Sequence, residues 1–297
     1  GSSIPVKIMD NDDLSNMVDT NDAWIRERTG VEKRHIAESE STVSMAVEAG
    51  RQALAQTGVR PEELDMIVVS TMSPDAVLPC TACEVQKAIG AEGAVCFDLQ
   101  AACTGFIFAY NTAQAYIQSN MCRTVLLIGS ERLSRLVDWT DRGTCILFGD
   151  GAGAAVLKAA EGRAYLPVSH SDGKKGEALT CDRYIHMDGR AVFQFAVTRV
   201  PEVIREVLTK NELLMDDIDY FVLHQANRRI VEAVAKRLRQ PIEKFPMNLQ
   251  EYGNTSSASI PILLDEMNRS GKLKKGQKLV VAGFGAGLSW GASIVEW

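Results

Sequence analysis

Two apolar runs of this chain recur at one spacing. Leu64-Asp65-Met66-Ile67-Val68-Val69 reads like Ile218-Asp219-Tyr220-Phe221-Val222-Leu223, and Thr124–Gly129 reads like Lys278–Gly283, both at an offset of 154 residues (64 to 218, 124 to 278). Two matches in one register point to a duplicated unit. Each half then shows the same order of elements: a helical stretch (Val43–Thr57; Val200–Asn211), an acidic turn, and a strand apolar on both faces (Met66–Thr71; Tyr220–His224). Helix candidates Cys103–Gln118 and Ala258–Arg269 follow. Doubly apolar strands alternating with amphipathic helices predict an α/β architecture with helix-covered sheets. No Pro/Gly/Ser-rich linker intervenes, so the halves are expected to pack as one body, residues 1–162 against 163–297.

Composition narrows the function classes. With 46% hydrophobic residues in 297, the chain can bury a large core. Its apolar runs are only strand-length, too short to span a bilayer. No basic-apolar-small leader pattern is present, which makes a cytoplasmic location the expectation. A net charge of −6 argues against a general nucleic-acid binder. Seven scattered cysteines read as reduced thiols. Cys80 and Cys83 form a CxxC with no second ligand pair for zinc, and are expected to be buried small residues at a helix start.

Four segments carry candidate chemistry. Ala101-Ala102-Cys103-Thr104-Gly105-Phe106 links an apolar strand (Ala94–Leu99) to a helical pattern; there backbone N–H groups and the helix dipole are expected to lower the thiol pKa. Taken alone, its position favours Cys103 as one more small buried residue, like Cys96 or Cys145. His224-Gln225-Ala226-Asn227 ends a strand, the place where α/β sites gather, although a lone histidine there also serves as a cap. Gly253-Asn254-Thr255-Ser256-Ser257-Ala258 lies 154 residues beyond the Cys103 turn, so that Ser257 is the duplicate of Cys103; for Asn254 a helix N-cap is the plain alternative. Gly283–Gly287 and Gly149–Gly153 lack a phosphate-loop pattern and suit close backbone approach or an oxyanion.

Together with Asp19–Val31 (Trp24, Arg28), Thr140–Thr144, Phe148–Gly153 and Gly283–Trp290, these segments resemble the β-ketoacyl-acyl-carrier-protein synthase III family in order and spacing, over nearly the whole chain. The resemblance implies the thiolase-like duplicated five-layered αβαβα fold. It implies Cys103 as acyl-accepting nucleophile, with His224 and Asn254 as donors to an enolate. Asn254 in the third position separates the chain from elongating synthases, thiolases and HMG-CoA synthases and leaves synthase III or a plant-type polyketide synthase relative, between which the His224–Asn227 run and the Trp24/Arg28 segment favour synthase III. By the same resemblance, Trp24 and Arg142 sandwich the adenine of coenzyme A, Arg28 meets a phosphate, and Thr20, Gly189, Phe193 and Asn227 line the pantetheine path. Arg190 departs from an Asn found in some members and is left out. Phe284, Gly285, Ala286 and Gly287 form the acyl wall and oxyanion turn, and Leu78 reaches the pocket of a partner in a homodimer. Arg228, Arg229, Lys236 and Arg237, in the helix expected over 226–239, would dock an acidic acyl carrier protein. The implied reaction condenses a short acyl-CoA primer, with acetyl-CoA the first candidate, with malonyl-acyl-carrier protein. It uses no metal or organic cofactor. A synthase III-like enzyme of secondary metabolism and a Cys-His thioesterase are the rival readings. The stretch Thr180–Arg183 is shorter than the resemblance implies before Met187.

Overall fold

A computed structural model describes residues Gly1–Trp297. The first sheet contains β1 (Ser2–Ser3), β2 (Met66–Ser70), β3 (Val95–Leu99), β4 (Thr124–Glu131) and β5 (Gly151–Lys158) in the order β1-β5-β4-β2-β3. β2 runs parallel to β3 and β4, whereas β5 is antiparallel to β4 and to β1. The second sheet contains β6 (Val168–Ser171), β7 (Tyr220–Leu223), β8 (Lys278–Gly285) and β9 (Ser289–Glu296) in the order β7-β8-β9-β6, with only β7 and β8 parallel. The main helices are α1 (Asp22–Thr29), α2 (Thr42–Thr57), α3 (Thr81–Ile89), α4 (Gly105–Gln118), α5 (Gly189–Lys210), α6 (Arg228–Leu238) and α7 (Ser259–Arg269).

Period-two alternation divides each strand between two cores. Met66, Val68, Val125 and Leu127 face a central cluster shared with Val222, Leu279 and Val281 and with α4 and α7. Ile67, Val69, Leu126 and Ile128 face the opposite way, against α2 and α3. Phe221, Leu223, Val280 and Ala282 likewise face α5 and α6. The order is therefore helix, sheet, helix pair, sheet, helix: five layers, as the duplication requires.

The offset of 154 holds in the structure for β2/β7, β4/β8 and α4/α7 (66 to 220, 124 to 278, 105 to 259). It extends to backbone conformation, since Ala102 and Ser256, 154 residues apart, both adopt positive φ (47° and 49°) at the turn entering the central helices.

α5 differs from its expected span. It starts at Gly189, N-capped by Asp188, whose Oδ1 accepts from Arg190 N and Ala191 N at 3.0 Å each. Pro201 lies inside this 22-residue helix, and a proline beside Val200 imitates a helix first turn in the sequence. The Cys80–Cys83 pair is half-exposed on the first turn of α3 rather than buried, because the preceding loop, with Val77 88% and Leu78 83% exposed, stands off the body. No helix is long and apolar enough to cross a membrane.

Candidate active site

A cavity of about 610 Å³ opens between the halves. Cys103, His224, Asn254 and Phe284 line its buried part, and Trp24, Arg28, Gly189, Phe193, Asn227 and Arg229 line the part that reaches solvent.

Cys103 sits on a single 3-10 turn, Ala102–Thr104, ahead of α4. Gly285, at the end of β8, packs on it so closely that an added Cβ would lie 2.8 Å from Cys103 N; any side chain there would displace the nucleophile's own amide. The sequence-based expectation of a lowered thiol pKa is overturned. Burial pushes the Cys103 thiol up to about 12; a hydrogen bond from Ser256 and its own N–H work the other way, and the nearby Glu131 carboxylate adds to the rise. The turn does place N–H groups by the sulfur, but removal from water outweighs them. Alkylation of Cys103 by iodoacetamide is therefore expected to accelerate about tenfold per pH unit from pH 7 past pH 9. A plateau near neutral pH would show a thiolate already present and refute this assignment.

His224 follows the end of β7. Burial pushes its imidazole down to about 3, so the ring is neutral. Nδ1 lies 2.8 Å from Ser259 Oγ, and that oxygen accepts from Gln225 N–H at 3.3 Å. Where the Ser259 hydroxyl donates to Nδ1, the ring proton is on Nε2, the tautomer that makes His224 a donor toward the cavity. Phe284 meets the ring edge-on at 5.6 Å. Replacement of Ser259 by alanine is expected to slow any step that needs the Nε2 donor about tenfold, the worth of roughly one hydrogen bond. A Ser259→Ala rate equal to wild type would remove serine from this role.

Asn254 comes from a turn stitched to the first half: its N–H donates to Leu147 O at 2.8 Å, and its carbonyl accepts from Gly149 N at 3.1 Å. Gly253 before it has φ 65°, and a Cβ there would fall 2.7 Å from Leu147 O, so glycine is required. Asn254 Oδ1 accepts from Ser256 N at 2.8 Å, which fixes the amide orientation and leaves Nδ2 as a free donor toward the cavity. The sulfur of Cys103, the imidazole of His224 and the amide of Asn254 thus line one space.

Beneath this turn lies Glu131, fully buried and missed in the sequence. Its carboxylate accepts from Ser73 Oγ (2.6 Å), Ser257 Oγ (2.7 Å), Thr71 Oγ1 (3.3 Å) and Met72 N (3.1 Å). Ser257 is the duplicate of Cys103 and Glu131 that of Gly285, so one crossing between the halves is a structural hydrogen bond from Ser257 to Glu131, and its duplicate is the close approach of Cys103 and Gly285. An acid closing the otherwise apolar run Thr124–Glu131 was the available signal. Ser259 had none.

The remaining expected residues divide. Arg142 does not line the cavity; its guanidinium lies 4.9 Å from the Trp24 ring centroid, with Nη1 donating to Asp19 O at 2.9 Å, while Arg28 stands 5.8 Å from the same ring. Arg142 thus covers one face of the Trp24 ring. Thr20 holds a buried Oγ1 with no partner, outside the lining. Gly285 and Ala286 line the cavity and Gly287 does not. Leu78 is on the exposed loop, away from this chain's cavity. Arg228, Lys236 and Arg237 are exposed on α6 outside the cavity, whereas Arg229 is on its wall, 5.4 Å from the Phe193 ring. Arg190, left out of the expected set, lines it too. Leu179–Cys181 and Ile185–Met187 pair as a tight antiparallel ribbon whose residues form another wall.

Two family profiles match the chain. Residues 97–173 match 3-oxoacyl-[acyl-carrier-protein] synthase III, and residues 208–297 match the C-terminal domain of the same enzymes. The β-ketoacyl-[acyl-carrier-protein] synthase III of Clostridium novyi is 46% identical over 314 aligned residues, covering 100% of this chain and 97% of that protein. The crystal structure of 3-oxoacyl-[acyl-carrier-protein] synthase III from Aquifex aeolicus superposes with a TM-score of 0.98 at 43% identity, covering 100% of this chain and 98% of that one. A priming β-ketosynthase of the R1128 polyketide pathway superposes with a TM-score of 0.96 at 36% identity, covering 100% of this chain and 94% of that one.

Proposed function

The chain belongs to the β-ketoacyl-[acyl-carrier-protein] synthase III family, and on that premise we propose that it performs the decarboxylating condensation of a short acyl-CoA, acetyl-CoA first, with malonyl-acyl-carrier protein that initiates fatty-acid synthesis. The observation that carries this reading is the convergence of the Cys103 sulfur with two fixed donors, His224 Nε2–H and Asn254 Nδ2–H, in one buried cavity.

In the first half-reaction the Cys103 sulfur bonds to the thioester carbon, and coenzyme A leaves carrying the proton that the thiol gives up. The N–H of Cys103, with Gly285 and Ala286 beside it, faces the developing oxyanion. In the second, the bond from the malonyl α-carbon to its carboxylate breaks and CO2 departs. The electron pair passes to an enolate whose oxygen is held by His224 and Asn254. The apolar face of Phe284 disfavours the free carboxylate and so promotes its loss. The carbanion attacks the acyl carbon, and the Cys103 sulfur leaves as thiolate and recovers a proton. The neutral state of His224 suits this role: an Nε2–H donor persists across the neutral pH range. The steps are written with no metal or organic cofactor.

Trp24, Arg28, Gly189, Phe193 and Asn227 lie along the cavity as a coenzyme A thioester would. Arg142 must swing off Trp24 to let adenine in, and Thr20 Oγ1 offers an unpaired hydroxyl nearby. The exposed cations Arg228, Lys236 and Arg237, with Arg229 at the cavity wall, support docking of an acidic carrier protein on α6. Homodimer formation is supported by the edge strand β3, where Val95 is 62% exposed, and by the apolar loop of Val77 and Leu78 beside it. A cytoplasmic setting accords with a substrate pair of this kind.

Incubation with acetyl-CoA and malonyl-acyl-carrier protein tests the reading. The expected product is a 3-ketoacyl thioester on the carrier with stoichiometric CO2. Free acetate without CO2 would establish a thioesterase instead. Preference for a primer other than acetyl-CoA, as in a secondary pathway, would leave the chemistry standing and move the specificity.

A further inference from the structure

We propose that Cys80 and Cys83 form a reversible dithiol–disulfide site, distinct from the acyl-carrying thiol, that exchanges with low-molecular-weight disulfides. The two sulfurs are 3.4 Å apart. They occupy the N-cap and third positions of α3, where Cys83 N and Glu84 N both donate to Cys80 O (3.1 and 3.3 Å) and close one helical turn. Residues three apart on a helix bring their Cα atoms within the range a disulfide accepts, about 4.4–6.8 Å, and bonding needs the sulfurs to approach to about 2.05 Å. Side-chain rotation alone spans that gap. Both residues are half-exposed, whereas Cys103, Cys122 and Cys145 are buried.

The surroundings favour the oxidised form. The Asp98 carboxylate accepts from Thr81 N and Ala82 N at 2.8 Å each, and so occupies the helix-start N–H groups that would otherwise stabilise a thiolate. The hydrogen bond to Cys80, followed by burial, raises the Cys83 thiol. Dithiols whose reduced form gains nothing from a stabilised thiolate hold their disulfide more firmly than those with a low-pKa cysteine. Cys96, a third sulfur that also hydrogen-bonds Cys83, belongs to strand β3 and rests on Ala94 O at 3.5 Å, whereas Cys80 shares the helical turn of Cys83.

The exchange balances without a further reagent. A thiolate from the pair attacks a small disulfide and releases one thiol; the second cysteine attacks the mixed disulfide and releases the other. Two thiols are oxidised, one disulfide is reduced to two thiols, and the two cysteine protons end on the released thiols.

Equilibration of the reduced full chain with graded mixtures of reduced and oxidised glutathione, followed by alkylation, digestion and mass spectrometry, tests this. The expected result is a Cys80–Cys83 peptide lacking two hydrogens at ratios that leave Cys103, Cys122 and Cys145 alkylatable after denaturation, with reversal by dithiothreitol. In Cys83→Ser, glutathione should accumulate on Cys80 about tenfold above wild type, since no neighbouring thiol resolves the adduct. Condensation activity of that variant reports its folding. The proposal is overturned if the pair stays reduced in wild type, if Cys83 pairs with Cys96 instead, or if Cys80 and Cys83 each keep a separate glutathione.

Discussion

Cys103→Ser is expected to take up no acyl group from acetyl-CoA, while the wild-type peptide containing Cys103 gains one, and condensation should fall by at least about 10³-fold. The size of the loss follows from the site. A serine hydroxyl needs a base, and the titratable ring in the cavity, His224, presents an N–H there because Ser259 occupies its other nitrogen. A thiol depends on a base less, since it gives up its proton far more readily than a hydroxyl in the same site and sulfur is the softer nucleophile and better leaving group, and coenzyme A takes the proton on leaving. Acylation of the serine variant at a rate near wild type, or an adduct on another cysteine, would remove Cys103 from its assigned place. Intact mass and peptide mapping decide between these outcomes.

Asn254→Ala should separate the two half-reactions. Loss of one preorganised donor to a developing oxyanion costs about 10²–10³-fold, or roughly 2.7–4 kcal/mol. That loss is expected in condensation, whereas transfer of the acyl group to Cys103 stays within a few-fold of wild type. The variant keeps the backbone bonds to Leu147 and Gly149 that place the turn, and gives up the Oδ1 contact with Ser256 N. Equal loss in both half-reactions would mean that the turn had moved and that Asn254 acts as a structural cap. Single-turnover acylation measured beside CO2 release distinguishes the two.

Much of the fold was legible because its determinants are local or periodic. Strands apolar on both faces demanded helices on both sides, and the repeated spacing demanded two such units. The same spacing links the Cys103 turn to the Asn254–Ser257 turn in the sequence itself. The start of α5 was hidden by Pro201, whose missing N–H is tolerated only because the helix is packed against the second sheet along its length. Arg190 departs from the family's pattern, yet its position on the first turn of α5 puts it on the cavity wall whatever its type.

Periodicity and motif spacing are properties of neighbouring residues, so the layers and the pairing of the two turns, with Cys103, His224 and Asn254 as candidates, are written in the sequence. Tertiary structure alone decided their protonation. The thiol expected to be lowered by a helix start is raised by burial, His224 is kept neutral by burial, and its Nδ1 is engaged by Ser259, 35 residues away. The Asn254 turn rests on Glu131 through Ser257, 126 residues away. Desolvation and hydrogen-bond partners depend on which surfaces meet when the two halves close, and no local pattern records that.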